Sequence, residues 1–260
     1  MADDDLLFTV EDGIATVTLN RPHARNALSV AMCNRLTALW EAIDRRADIR
    51  VVVLTATDCG TFCAGMDLKE AAAIRHEQGV DVLTLVRDPF HARMRSVEVP
   101  IVAAVTGHFM AGGMLLALNA DLRVGLAGTR AGITEVRVGR GSPWAVPLLW
   151  MLPQAIVMQM VLTGETMPVE VLAAHGFFNG LANNPDTVRD HARTLAESIR
   201  MGAPLSVNRG KAALNAATSM GCDAGLANAL RLYQAVYASD DAEEGPRAFA
   251  AKRAPRWQGR

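Results

Sequence analysis

The chain has 260 residues, half of them hydrophobic, and its 26 Lys and Arg residues nearly balance 27 Asp and Glu residues, for a formal net charge of -1. This length allows one large domain or two small ones, and the balanced charge gives no electrostatic reason to expect a nucleic acid as partner. The longest apolar run, residues 109–118, is far shorter than the roughly 20 residues that span a bilayer. The first residues lack a signal-peptide pattern, and the four cysteines lack the spacing of a disulfide framework. These features predict a soluble protein of the reducing cytoplasm that binds a small ligand and neither nucleic acid nor membrane.

The first predicted elements form a strand, a helix and a second strand. Residues 15–19 alternate apolar and Thr side chains, which is typical of a half-buried strand, and the Asn-Arg-Pro that follows breaks it. Ser29 is placed to cap a helix, and residues 51–54 are continuously apolar, as in a strand covered on both faces. The apolar stripe of the helix consists of Met32, Leu36, Leu39, Trp40 and Ile43. Because similar strands recur at residues 101–105 and 122–124, the fold class is α/β.

Two glycine-containing stretches, residues 63–67 and 110–114, each precede a predicted helix. Small residues at a helix start leave backbone N–H groups unpaired and let a ligand approach them. Asp67 is predicted to cap the first of these helices, with Glu70 completing a capping box. The second helix, beginning at the glycines, is apolar on all sides and is therefore predicted to be buried. The pair of stretches predicts an oxyanion site.

From about Thr166 onward the chain is predicted to be mostly helical. Pro168 suits a first helical turn and Gly176 suits a helix end. A further helix carries the stripe Val188, Ala192, Leu195 and Ile199. No linker composition separates this part, so residues 196–260 are interpreted as a helical extension of the core formed by residues 1–195, within one structural unit.

Several motifs in a fixed order resemble the crotonase family, the enoyl-CoA hydratase/isomerase superfamily, over nearly the whole chain. They are Asn-Arg-Pro at 20–22 with Asn-Ala-Leu at 26–28, Phe-Cys-Ala-Gly-Met-Asp-Leu at 62–68, Pro-Ile-Val-Ala-Ala-Val at 100–105 with Gly107, Ala-Gly-Gly at 111–113 with Asp121, Leu-Thr-Gly at 162–164, and Glu-Gly at 244–245 to Phe-Ala-Ala-Lys-Arg at 249–253. The resemblance implies a crotonase-like spiral of ββα units with a C-terminal helical trimerisation region, assembled as a homotrimer or a dimer of trimers.

The same resemblance implies an enzyme that acts on an acyl-CoA. The backbone N–H groups of Met66 and Gly112 would hold the thioester oxygen, and Glu135 would be the catalytic carboxylate. Burial in an apolar setting would raise the pKa of Glu135 toward a range useful for moving protons. Hydratases of the family use two glutamates, and the position of the first is occupied here by Leu115.

The absence of a first glutamate favours Δ3,Δ2-enoyl-CoA isomerisation, in which one carboxylate moves a proton between two carbons, over hydration of a 2-enoyl-CoA. Arg140, Ser142 and His108 are candidates to replace the missing acid, although His108 is more easily explained as a structural histidine. Trp144 and Trp150 are assigned to the core in preference to the acyl pocket. The alternatives are a catalytically silent acyl-CoA-binding homologue, or an acyl-CoA thioester hydrolase or decarboxylase.

The resemblance also implies the residues that bind the substrate and its CoA. The expected set is Ala24, Arg25, Ala64, Gly65, Asp67, Leu68, Gly113, Leu115, Phe249 and Lys252, the last two reaching the nucleotide, often from a neighbouring subunit. Lys252 can equally belong to a solvated basic tail. CoA enters as part of the substrate and no other cofactor is expected. The sequence has neither a dinucleotide fingerprint nor a P-loop, and its scattered histidines predict no metal site.

Overall fold

The computed structural model describes residues 5–260 and contains two sheets surrounded by helices. The strands are β1 (Leu6–Glu11), β2 (Ile14–Leu19), β3 (Val51–Ala56), β4 (Thr61–Cys63), β5 (Ile101–Val105), β6 (His108–Met110), β7 (Leu122–Leu126), β8 (Arg130–Gly132), β9 (Thr166–Pro168) and β10 (Gly180–Ala182). The helices are α1 (Val30–Asp44), α2 (Leu68–Gln78), α3 (His91–Ser96), α4 (Gly112–Asn119), α5 (Gln154–Thr163), α6 (Val169–Ala174), α7 (Pro185–Arg200), α8 (Pro204–Ala217), α9 (Cys222–Tyr237) and α10 (Asp240–Ala250). Four 3-10 helices cover Pro22–Ala24, Val82–Thr84, Glu135–Val138 and Pro143–Trp150.

The chain alternates between the two sheets, and this alternation produces the expected ββα units. The larger sheet has the order β1-β2-β3-β5-β7-β10, and all its pairs are parallel except β1 with β2. The smaller sheet has the order β4-β6-β8-β9. A strand of the larger sheet is followed by one of the smaller sheet and then by a helix in β3-β4-α2 and again in β5-β6-α4. The predicted α/β class and ββα spiral are confirmed.

The strand predicted to be covered on both faces is β3, and all six of its residues are buried. Val52 and Leu54 face the main core, whereas Val51 and Val53 face a second apolar layer. Helix α7 supplies that layer through its buried stripe of Val188, Ala192 and Ala196. Burial on both faces explains why the sequence of β3 shows no polar alternation.

The predicted cap of α1 is confirmed, because Ser29 Oγ accepts a hydrogen bond from Met32 N (3.1 Å). The capping box predicted for α2 is only half correct. Asp67 caps α2 by accepting from Lys69 N and Glu70 N. Glu70 instead accepts a hydrogen bond from Val30 N (2.9 Å), at the first turn of α1. A carboxylate there satisfies an unpaired N–H and complements the helix dipole, so Glu70 joins two helices that the sequence alone did not link.

The C-terminal part is helical, as predicted, but two short strands interrupt its beginning. β9 and β10 have three residues each, too few to show a period-two pattern. Pro168 immediately precedes α6, and Gly176 has φ of +82° just after it. The predicted division at residue 195 falls inside α7, which continues to Arg200.

Helices α8 and α9 pack against each other and leave an apolar surface exposed. Along α9, Leu226, Leu230, Tyr233 and Tyr237 follow a helical spacing, and both leucines are 60% exposed. Leu214 of α8 is also exposed. An apolar stripe of this kind on a helical extension favours contact with another polypeptide chain.

Candidate active site

The loop of residues 20–28 supports the first glycine stretch. Asn26 is fully buried with φ of +52°, and its Nδ2 donates to Thr57 O and Thr61 O, both at 2.9 Å. Its Oδ1 accepts from Arg21 N (3.0 Å). The Arg21 guanidinium reaches Asp67 Oδ2 (3.1 Å), the cap of α2. The first motif of the sequence therefore fixes the backbone beside residues 63–67.

Met66 lies in a short parallel bridge with Leu28. Leu28 N donates to Gly65 O (2.8 Å), and Asp67 N donates to Leu28 O (2.9 Å). In a bridge with this pattern the N–H of the central residue points away from the partner strand. Within residues 5–260, Met66 N–H has no hydrogen-bond acceptor, so it is available to a ligand.

Gly112 is the first residue of α4, and its N–H belongs to the donors that a helix leaves unpaired. The preceding Ala111 has φ of +48° and ψ of -112°, a conformation that is unusual for a residue with a Cβ. Ala111 is fixed on both sides, because its N donates to Gly132 O and its O accepts from Leu115 N, each at 2.9 Å. Since ψ of Ala111 sets the direction of the next peptide, these bonds orient Gly112 N–H.

The two glycine stretches meet backbone to backbone. A Cβ added to Gly65, which has φ of +93°, would be 2.9 Å from Ala111 Cβ and 3.3 Å from Gly112 N. A Cβ on Gly113 would be 2.3 Å from Cys63 O. Only glycine permits this approach, which explains why both stretches contain it.

Glu135 begins a 3-10 helix and is half-buried. Its Oε1 accepts a hydrogen bond from Trp144 Nε1 (3.0 Å). Its Oε2 is buried and has no hydrogen-bond partner among residues 5–260. Burial raises the pKa of Glu135, and the hydrogen bonds from backbone groups and from Trp144 oppose that rise only in part.

A single cavity of about 650 Å³ brings these groups together. Met66 and Gly112 line it, as do Glu135 and the buried Leu115. The remaining wall is mostly apolar and includes Ala64, Leu68, Val82, Leu83, Phe90 and Val138. A small apolar chain with one polar end would fit such a cavity.

The assignment of both tryptophans to the core is incomplete for Trp144 and wrong for Trp150. Trp144 packs against the main core, but it also lines the cavity and contacts Glu135. Trp150 is 62% exposed and is not among the described residues that line the cavity. No sequence pattern predicts the contact between Trp144 and Glu135, because the indole N–H reaches the carboxylate only once two successive 3-10 helices have folded.

The candidates for replacing the missing acid differ in position. Arg140 lines the cavity and is ion-paired with Asp81. His108 Nδ1 accepts from Arg130 N (2.9 Å) outside the cavity, which agrees with its interpretation as structural. Ser142 is not among the residues of the range 5–260 that line the cavity, although its neighbours Gly141 and Pro143 are.

The other residues predicted to bind substrate fall into three groups. Ala24 and Arg25 adjoin the glycine stretch, since Ala64 N donates to Arg25 O (3.2 Å), and Leu68 lies on the cavity wall. Gly65, Asp67 and Gly113 support that wall from behind through the contacts given above. Phe249 is 87% exposed at the end of α10 and Lys252 follows it, and neither lines the cavity of its own chain.

Within residues 5–260, no three His, Cys, Asp or Glu side chains are grouped so as to hold a metal ion. Over the same residues, none of the helices has both the length and the apolar character required to cross a bilayer.

Comparison with known proteins agrees with the geometry. The model of the family described as enoyl-CoA hydratase/isomerase matches residues 9–260. The chain is 34% identical to (E)-benzylidenesuccinyl-CoA hydratase of Thauera aromatica, with 96% of this chain and 97% of the relative covered. It is likewise 34% identical to enoyl-CoA hydratase EchA19 of Mycobacterium tuberculosis, over 94% and 92% of the two chains. A crystal structure of an enoyl-CoA hydratase from Mycobacterium tuberculosis superimposes with a TM-score of 0.88 at 35% identity, covering 99% of this chain and 100% of that one. The chain therefore belongs to the enoyl-CoA hydratase/isomerase family, within the crotonase superfamily, and is an enzyme of that family.

Proposed function

We propose that the protein isomerises 3-enoyl-CoA to 2-enoyl-CoA by moving one proton through Glu135. The observation that supports this reaction is the supply of carboxylates in the cavity. Within residues 5–260, two carboxylates line the cavity, those of Asp81 and Glu135. Because Asp81 is ion-paired with Arg140, Glu135 is the carboxylate that is free to exchange protons.

In this reaction Glu135 Oε2 takes a proton from the α carbon, and the electron pair moves onto the thioester oxygen. The N–H groups of Met66 and Gly112 stabilise the resulting enolate, and removal of one such donor in other enzymes costs about 100- to 1000-fold in rate. Glu135 then returns the proton to the γ carbon as the double bond moves into conjugation. The unpaired state of Oε2 and the raised pKa of the carboxyl group support its use as both base and acid.

Hydration is the second candidate, and the hydratase names of the relatives favour it. Addition of water requires one group to hold and deprotonate water while another protonates the α carbon. Leu115 provides no such group, so hydration would depend on a substitute; of the three candidates named above, Arg140 lines the cavity, and it is ion-paired with Asp81.

The two reactions are separated by following the consumption of 3-enoyl-CoA and 2-enoyl-CoA side by side. We expect faster turnover of the 3-enoyl substrate and little formation of 3-hydroxyacyl-CoA. Faster hydration of the 2-enoyl substrate would contradict the proposal. Leu115→Glu is expected to raise hydration, because it restores a second carboxyl group to the wall.

We further propose a homotrimer or a dimer of trimers in the cytoplasm, requiring no cofactor beyond the CoA of its substrate. The exposed stripe on α9 supports assembly, and the exposed positions of Phe249 and Lys252 would suit contact with the CoA bound by a neighbour. The molar mass from light scattering tests the assembly, and Leu230→Glu is expected to reduce it toward that of one chain.

A further inference from the structure

One end of the cavity carries charge, although most of its wall is apolar. Arg75, Asp81 and Arg140 all line it; this set is called the charged end below. Arg75 lies seven residues along α2 from Leu68, which corresponds to about 10 Å at the rise of an α-helix. Because Leu68 follows Met66 closely, Arg75 is displaced along α2 from the oxyanion donors by roughly the length of a medium acyl chain. Asp81 connects the two arginines, because it pairs with Arg140 and is close enough to the charge of Arg75 for that charge to lower its pKa.

The charged end has an excess of positive charge. Arg140 Nη2 donates to Asp81 Oδ1 (2.8 Å), and Arg140 Nη1 contacts Asp81 Oδ2. Arg75 donates from Nη1 to Gly79 O (2.7 Å) and makes no ion pair among residues 5–260. Two guanidinium groups therefore face one carboxylate, which leaves one positive charge without a counter-ion.

Stability does not explain this arrangement. The Arg140 and Asp81 side chains are 41% and 39% exposed, and ion pairs at such sites contribute little to folding. An alkyl chain that filled the cavity would remove water from these charges without offering them a partner, which is unfavourable. A carboxylate at the end of the chain would instead accept hydrogen bonds from guanidinium groups, whose planar fork matches it.

We propose that the charged end is a recognition site for a carboxylate at the far end of the acyl chain. The substrate class is then the mono-CoA thioester of an unsaturated dicarboxylic acid. This inference rests on the proposed function for its choice of acyl-CoA, and it adds which acyl group the cavity prefers. Arg75 supplies a guanidinium that has no ion-pair partner among residues 5–260, and Arg140 supplies the N–H groups that Asp81 does not use.

The test uses calorimetry to compare the binding of two saturated thioesters. One is octanedioyl-CoA, whose CoA is attached to one carboxyl group so that the other is free, and the second is octanoyl-CoA, which has no free carboxyl group. Neither can be isomerised, so binding is measured apart from turnover. We expect octanedioyl-CoA to bind about tenfold more tightly, as one hydrogen-bonded charge pair at a partly exposed site allows. The preference is expected to shrink as salt concentration rises.

Substitutions that remove one charge are then expected to change the ratio of the two dissociation constants, octanoyl-CoA over octanedioyl-CoA. Loss of a positive charge should lower this ratio, and loss of the negative charge should raise it. Arg140→Gln and Arg75→Gln are each expected to reduce the preference for octanedioyl-CoA about tenfold. Asp81→Asn is expected to increase it, because it removes the competing carboxylate. The matched control is Arg137→Gln, which removes one positive charge from the neighbouring 3-10 helix without altering the cavity wall and should preserve the ratio.

A ratio near one in the unaltered protein, or a ratio that Arg140→Gln and Asp81→Asn leave unchanged, would overturn the proposal. Failure of the proposed isomerisation would give a different result from failure of the carboxylate site. In that case 3-enoyl-CoA would not be isomerised although the binding preference for the dicarboxylic thioester persisted.

Discussion

The two walls of the cavity are built in different ways. The oxyanion wall, residues 63–67 with 111–113, presents backbone N–H groups and is fixed by glycine contacts and buried hydrogen bonds. The acid wall, residues 134–144, presents side chains carried on 3-10 helices and is partly exposed. Under the proposed function, thioester binding would therefore depend on the path of the chain, whereas the reaction would depend on a few side chains that substitution can change without altering that path.

The largest effect on the oxyanion wall is expected from Gly113→Ala. Its Cβ would lie 2.3 Å from Cys63 O, a backbone atom that cannot rotate away. We expect the free energy of unfolding to fall by about 3 kcal/mol, at the upper end for overpacking. Chemical denaturation measures this change. Gly221→Ala is the matched control, because no atom lies within 4 Å of the added Cβ and φ is negative, and a loss as large there would show that the contact is not the cause.

A smaller loss is expected from Asn26→Ala, which removes the buried amide beneath the oxyanion wall. Two carbonyl oxygens and Arg21 N would lose their partner, and we expect a loss of about 2 kcal/mol in stability. Asn34→Ala serves as the control, since Asn34 also bonds two backbone groups, but it is half-buried and its hydrogen bonds are exposed. Equal losses in the two variants would contradict the importance assigned to burial.

On the acid wall, Trp144→Phe is expected to leave the fold intact and alter the titration of Glu135. The indole N–H stabilises the charged carboxylate, so its removal raises the pKa of Glu135 further. Proton abstraction needs the charged form, and the acidic limb of kcat/KM should therefore move to higher pH, with a loss of up to about tenfold below it. Trp150→Phe, at an exposed position, should leave the pH profile where it is.

The smallest expected effect is the change in stability caused by Glu135→Gln. The folded state raises the pKa of Glu135, so its contribution to stability is complete below the pKa in the unfolded chain and is lost as pH rises through the folded value. A neutral amide avoids that loss. The melting temperature of the variant should exceed that of the unaltered protein slightly at neutral pH and match it near pH 4, and the reverse order at neutral pH would contradict the burial of the charge.

The difference between the walls also explains what could be predicted from the sequence. The helix starts at the two glycine stretches, the cap at Ser29 and the buried strand β3 follow from local patterns, and the structure confirms them. The contacts of Trp144 and Glu70 join segments that only the folded chain brings together. The strands β9 and β10 were missed because three residues show no periodicity.

The central claim is that Glu135 alone moves the proton while the backbone holds the thioester. It is tested most directly by the rate of 3-enoyl-CoA isomerisation in Glu135→Gln, measured together with the affinity for CoA. We predict a fall in kcat of at least about 100-fold with the affinity retained. Unchanged turnover in the folded variant would contradict the claim.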